Sequence, residues 1–226
     1  MLVLCIALEA RGWSAAKDPL QALACTAIQS RSGAPRSLSS FFWRDPHRPP
    51  QSFAGIELEF LPEAWSEPTD GPPAGRAGGA PLAGAVAQPG QAATDGAVGP
   101  GGSWQDALRR FVEWIATLPR EAMEPVLLSG FAVARDLVYL TDAFVAVGCP
   151  CPFSAHPLDI RSLAMGVLSL PWEETAPDRL SRLLGSSAAQ PALHDEVAAE
   201  ATICSLVMIQ LLDRLRRRAA SEAAFR

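Results

Sequence analysis

The sequence has no excess of basic charge: 19 Lys and Arg stand against 24 Asp and Glu, for a formal net charge of -5. That balance argues against tight, sequence-blind binding of long nucleic acid through a basic surface, and it leaves room for a small local site. No apolar run approaches the roughly twenty residues needed to cross a bilayer. The apolar start of the chain lacks a basic region ahead of it and meets Glu9 early, so it does not read as a signal sequence. Leu2-Val3-Leu4-Cys5 lies too near the start to be a lipoprotein cleavage site. A soluble, cytoplasmic protein without a membrane partner is expected. Paired CxxC spacing is also missing. Cys5, Cys25, Cys149, Cys151 and Cys204 are an odd, scattered set that reads as reduced thiols. Cys149-Pro-Cys151 reads better as a loop pair than as metal ligands. Large apolar side chains are nearly absent between Glu67 and Ser103, where Gly, Pro and Ala dominate. Such a stretch buries too little surface to offset the entropy of ordering, which predicts a flexible insertion at about 67–103.

What is present suffices for one domain. The chain has 226 residues, 49% of them hydrophobic, enough for a single substantial core. Leu2 to Leu8 is a continuous apolar run bounded by Glu9 and Gly12, the pattern of a buried central strand. Leu20 to Ile28 predicts a second strand. Residues 30–51 read as a polar connection in which Phe41-Phe42-Trp43 either pack beneath a loop or stack on bases. A third strand is expected over Ser52 to Leu61, where Phe53, Ile56, Leu58 and Phe60 recur. Ser103 is the expected N-cap of a helix with Asp106 at its third position, followed by the stripe Ala107, Leu108, Phe111, Val112, Ile115 and Leu118. Asp178 to Leu184 predicts a short helix. A long one is expected from about Asp195 to Arg218, with Val197, Ala201, Cys204, Met208, Leu211 and Leu215 on one face. That face packs on a sheet or, alternatively, joins two copies in a homodimer. Arg216-Arg217-Arg218 fall where cations favour a helix C-terminus.

The most informative stretch runs from Pro125 to Met165. Val126 to Leu128 is a short apolar run ending at Ser129-Gly130, and a helical pattern with Leu137, Leu140, Phe144 and Val147 on one face follows it. A strand therefore feeds a helix, and Asp136 sits on the helix's first turn near the carboxyl end of the strand, where open α/β sheets carry their chemistry. With the segment Pro152-Phe153-Ser154 and Leu158-Asp159-Ile160-Arg161-Ser162-Leu163-Ala164-Met165 that comes next, this stretch resembles the DEDDh 3′-5′ exonucleases of the ribonuclease H-like superfamily, which include ribonuclease T and polymerase proofreading subunits. The resemblance covers residues 104–215 well and residues 1–66 loosely. It implies one α/β domain with a ribonuclease H-like mixed sheet of about five strands flanked by helices.

The resemblance also implies a chemistry. Two divalent ions about 3.5–4 Å apart activate water and stabilise the leaving oxygen of a phosphodiester. Hard oxygen ligands hold such ions, and the family supplies four carboxylates plus a histidine as general base. Mapped onto this chain, Glu9 matches the family glutamate of strand one, Asp136 matches the aspartate of the central helix, and His194 matches the general base. Ala7 stands where the leading aspartate is expected, Ala199 where the last aspartate is expected, and Arg135 where phenylalanine is usual. A methyl group offers neither charge nor lone pair. Asp195 and Glu200 are the candidate substitutes, although Glu200 points about 100° away from position 199 and Asp195 suits an N-cap. Three readings follow: an inactive or very weak pseudo-nuclease that retains a site for a single-stranded nucleic-acid 3′ end or a nucleotide; an active Mg- or Mn-dependent exonuclease rebuilt on a substitute carboxylate; and a non-catalytic interaction scaffold.

Overall fold

In the computed structural model, which describes residues 1–10, 12, 14–15, 17–30, 34–47, 102–121, 124–185 and 195–224, the central strand β1 spans Leu2–Ala10. It pairs antiparallel with β2 (Leu20–Gln29), which pairs antiparallel with β3 (Arg36–Arg44). On its other side β1 runs parallel to β4 (Val126–Gly130), which runs parallel to the two-residue β5 (Leu158–Asp159). The sheet is mixed and five-stranded, in the order β3-β2-β1-β4-β5. All described residues belong to one compact unit.

Both faces of β1 are covered, which is why its sequence is apolar without alternation. Leu2, Leu4 and Ile6 face a core shared with α1 (Trp104–Thr117) and α2 (Val133–Ala146). Val3, Cys5 and Ala7 face the opposite layer, made by α3 (Ile160–Leu168), α4 (Pro177–Leu183) and α5 (Glu196–Ala224). Ser103 and Asp106 form the expected reciprocal capping box at the start of α1. An aromatic cluster seals the first layer: Phe111 lies 5.0 Å from Phe41, 5.7 Å from Trp114 and 6.2 Å from Phe153 between ring centroids.

The segment expected to be a connection is a strand. β3 alternates Phe41 and Trp43 into the α1 layer with Phe42 and Arg44 on the α5 side, a period of two hidden by the consecutive aromatics. Phe41 and Trp43 are 1% and 2% exposed, so neither presents a face on which a base could stack. The strand expected over residues 52–61 lies outside the described residues, as does all of the expected insertion except Gly102 and Ser103. α5 is longer than expected and reaches Ala224, which places Arg216, Arg217 and Arg218 inside the helix rather than at its end. There they pair with Asp213 and Glu222 three or four residues away, and the Ala-rich sequence that follows continues the helix. The face of α5 carrying Val197, Ala201, Cys204, Met208 and Leu211 packs on this chain's own sheet and helices, whereas Leu215, expected on the same face, is exposed. Among the described residues, no helix is long and apolar enough to cross a membrane.

Candidate functional site

The carboxyl ends of β1 and β4, the first turn of α2 and the first turns of α5 converge at one end of the sheet. Strand register sets the first group. Glu9 lies opposite Ala22 on β2, and Ala22 lies opposite Arg44 on β3. Residues paired across strands share a face, so Arg44 lies two strands from Glu9 with only the Ala22 methyl between them. The arginine spans that gap: Nη1 donates to Glu9 Oε2 at 2.9 Å, and Nε donates to a carboxylate oxygen of Asp195. The Arg44 side chain is 10% exposed, and its Nη2 is buried without a hydrogen-bond partner. Burial by itself would lower the guanidinium's pKa. Hydrogen bonds and attraction from Asp195 and then Glu9 outweigh it and raise the pKa further, holding Arg44 charged.

Asp195 is committed twice. Besides meeting Arg44, its Oδ1 accepts from the backbone N–H of Val197 and of Ala198, at 3.0 and 3.1 Å, the N-cap arrangement of α5. One rung further into the sheet, Ala7 lies opposite Ala24. It is 2% exposed and packs in an apolar cluster with Ala22, Ala24, Val197 and Ala201, with Phe42 and Ala198 at its edge. These small side chains seat α5 on the sheet. Ala199 is half-buried on the same helix, its N–H bonded to the Asp195 carbonyl.

The second group surrounds Asp136. Its side chain is 4% exposed, and Arg135 donates to Oδ1 from Nε at 3.3 Å and from Nη2 at 3.2 Å. Gly130 keeps this corner open: a Cβ there would lie 3.1 Å from the Ile6 carbonyl oxygen and 3.7 Å from Asp136 Oδ2. Burial pushes the Asp136 carboxyl up to about 6; Arg135 opposes that shift, and the nearby Glu200 adds to it. Glu200 keeps solvent contact at its surface, yet its carboxyl is crowded by protein. Desolvation raises its pKa, Arg135 opposes the rise, and Glu196 reinforces it. Thus Glu200 bears on Asp136 and shares the influence of Arg135 with it, although the helical angle from position 199 had suggested that it would diverge.

The Asp136 shift carries a pH dependence. In the unfolded chain this carboxyl loses its proton near 3.8, whereas in the folded protein it holds it to about 6. The folded state therefore binds more protons in between, and the group's contribution to stability is full below the lower value and lost as pH rises through the upper. Asp136→Asn is expected to be more stable than the wild type at about pH 8 by about 3 kcal/mol. The advantage should vanish near pH 4. Urea unfolding of both proteins across that range checks it, and an advantage that does not depend on pH would show that the buried charge is not its source.

His194 lies outside the described residues. The structure thus gathers Glu9, Asp136, Asp195 and Glu200 at one end of the sheet and adds Arg44, which sequence reasoning missed because it assigned residues 30–51 to a loop. Among the described residues, no group of three or more His, Cys, Asp and Glu is placed to hold a metal ion. The donor set does not fit a two-metal centre: Ala7 has no ligand atom, Glu9 and Asp195 are bound to Arg44, and Asp136 is bound to Arg135. Elsewhere, Cys5, Cys25 and Cys204 are buried thiols whose pKa values burial raises, and they are inert as nucleophiles at neutral pH. Cys149 and Cys151 are free and half-buried.

The architecture is similar in fold to a DEDDh exonuclease domain. The nuclease domain of 3'hExo, a DEDDh family member whose structure was solved with rAMP bound, matches this chain with a TM-score of 0.55 at 10% sequence identity, covering 93% of this chain and 91% of that one. The likeness is one of fold. No protein-family model and no curated protein matches the sequence.

Proposed function

We propose that this protein is a pseudo-nuclease: an exonuclease fold that binds a nucleic-acid 3′ end or a nucleotide and does not cleave phosphodiesters with divalent metals. The observation that carries this reading is Ala7, sealed among alanine and valine side chains at the spot where the resemblance calls for the leading metal-bridging carboxylate. A methyl group in an apolar cluster can neither bind a cation nor be exchanged for a ligand by a rotamer change. Support for a retained nucleotide site comes from the 3'hExo nuclease domain, which holds rAMP.

One observation favours a second reading, an active Mg- or Mn-dependent exonuclease. Asp136 is a buried carboxyl whose pKa burial raises, with Glu200 adding to the rise, and a divalent ion would relieve that charge. The two readings separate in one experiment. The full chain and its Asp136→Ala variant are incubated with 5′-labelled single-stranded RNA and DNA in Mg²⁺ and in Mn²⁺, with binding followed in parallel by fluorescence anisotropy. The proposal expects binding without shortening. A ladder from the wild type that Asp136→Ala abolishes would establish the second reading, while neither binding nor cleavage would leave the fold as a scaffold.

A further inference from the structure

We infer that Arg44 is a built-in cation: its guanidinium performs, at the junction of β1, β3 and α5, the charge compensation that a divalent ion would otherwise bring from solution, and it closes Glu9 and Asp195 to metal. The inference rests on the pseudo-nuclease reading for its context and on Arg44's own geometry for its content. Two carboxylates from distant parts of the chain, Glu9 at 27% exposure and Asp195 at 15%, converge on one guanidinium at 10%. Two carboxylates brought together in a partly desolvated place repel each other and need a counter-charge. A solution cation can supply it only when ligand oxygens remain free. Here Nη1 takes Glu9, Nε takes the oxygen of Asp195 that the helix cap leaves over, and the planar fork holds both in fixed directions.

The small side chains beneath make this reach feasible. Ala22, 0% exposed, lies between Glu9 and Arg44 in the register, and a larger residue there would stand in the path of the arginine stem. The consequence is mechanical as well as electrostatic. Arg44 ties edge strand β3, central strand β1 and the first turn of α5 at one point, so the end of the sheet is organised by a covalently attached cation and is indifferent to metal supply.

The test reads stability, so nuclease activity in the wild type would sink the functional reading and leave this measurement standing. Thermal unfolding of the full chain is followed in EDTA and in excess Mn²⁺, with bound Mn²⁺ counted by electron paramagnetic resonance. The wild type is expected to unfold at the same temperature in both, with no Mn²⁺ held through Glu9. Arg44→Met is expected to lose on the order of 10 °C in EDTA, because it leaves Glu9 and Asp195 without their counter-charge. Mn²⁺ should restore part of that loss, and adding Glu9→Gln should abolish the restoration. The inference is overturned by a wild type that Mn²⁺ stabilises in a Glu9-dependent way, by an Arg44→Met variant as stable as the wild type, or by a loss that Mn²⁺ leaves untouched. If Arg44→Met does not fold, the wild type and Glu9→Gln decide alone: Mn²⁺ bound through Glu9 overturns the inference, and none upholds it.

Discussion

Ala7→Asp, the change that puts a carboxylate where the resemblance calls for one, is expected to cost about 3–5 kcal/mol at about pH 8, the range for an uncompensated buried charge. For a chain of this length that corresponds to a fall of roughly 10 °C in unfolding temperature. Ala7 is 2% exposed, and the side chains around it are Ala22, Ala24, Val197 and Ala201, which donate no hydrogen bonds. The guanidinium on the adjoining rung already serves Glu9 and Asp195. Burial would raise the new carboxyl's pKa in the folded state, so the penalty should be largest where the group is ionised and shrink toward about pH 4. Thermal unfolding at both pH values measures it. A loss below about 1 kcal/mol would mean that the unpartnered Nη2 of Arg44 has turned to capture the carboxylate, in the way such pairs are stabilised when fully hydrogen-bonded.

Phe111→Ala is the second large effect. Phe111 is fully buried and stands at the centre of the aromatic cluster joining α1 to β3 through Phe41 and Trp114, and to the segment before β5 through Phe153. Truncation removes the ring's burial and leaves a cavity that surrounding rings cannot fill, for about 3–5 kcal/mol. The urea midpoint should fall with an unchanged slope. Val145→Ala, at a residue 74% exposed on α2, is the matched control and should stay within about 0.5 kcal/mol of the wild type. A Phe111→Ala loss no greater than that of the control would show that the α1 layer is not part of the cooperative core.

The elements read correctly were those whose signals are local. The apolar run of β1, the Ser103 capping box, the turn from β4 into α2 and the face of α5 each lie within a few residues of one another along the chain. β3 escaped because its alternation is masked by three consecutive aromatics, and the end that carries them is packed on both faces. Nothing in a linear reading says that both sides of a segment will find partners.

The candidate site divides along the same line. By itself, the sequence determined that methyl groups, at Ala7 and Ala199, stand where the resemblance calls for carboxylates, and where the remaining carboxylates occur, because residue identity and order along a strand or helix are one-dimensional facts. Only the tertiary structure decided what those carboxylates do. Glu9 and Asp195 are separated by nearly the whole chain, and Arg44 joins them solely because β3 is the neighbour of β2 and Ala22 leaves the path open. Glu200 on α5 adds to the upward shift of Asp136 on the first turn of α2, although the two lie far apart along the chain. Coulomb interactions and hydrogen bonds depend on distances of a few ångströms in space, and separation along the chain carries no record of them until the sheet and its helices have closed.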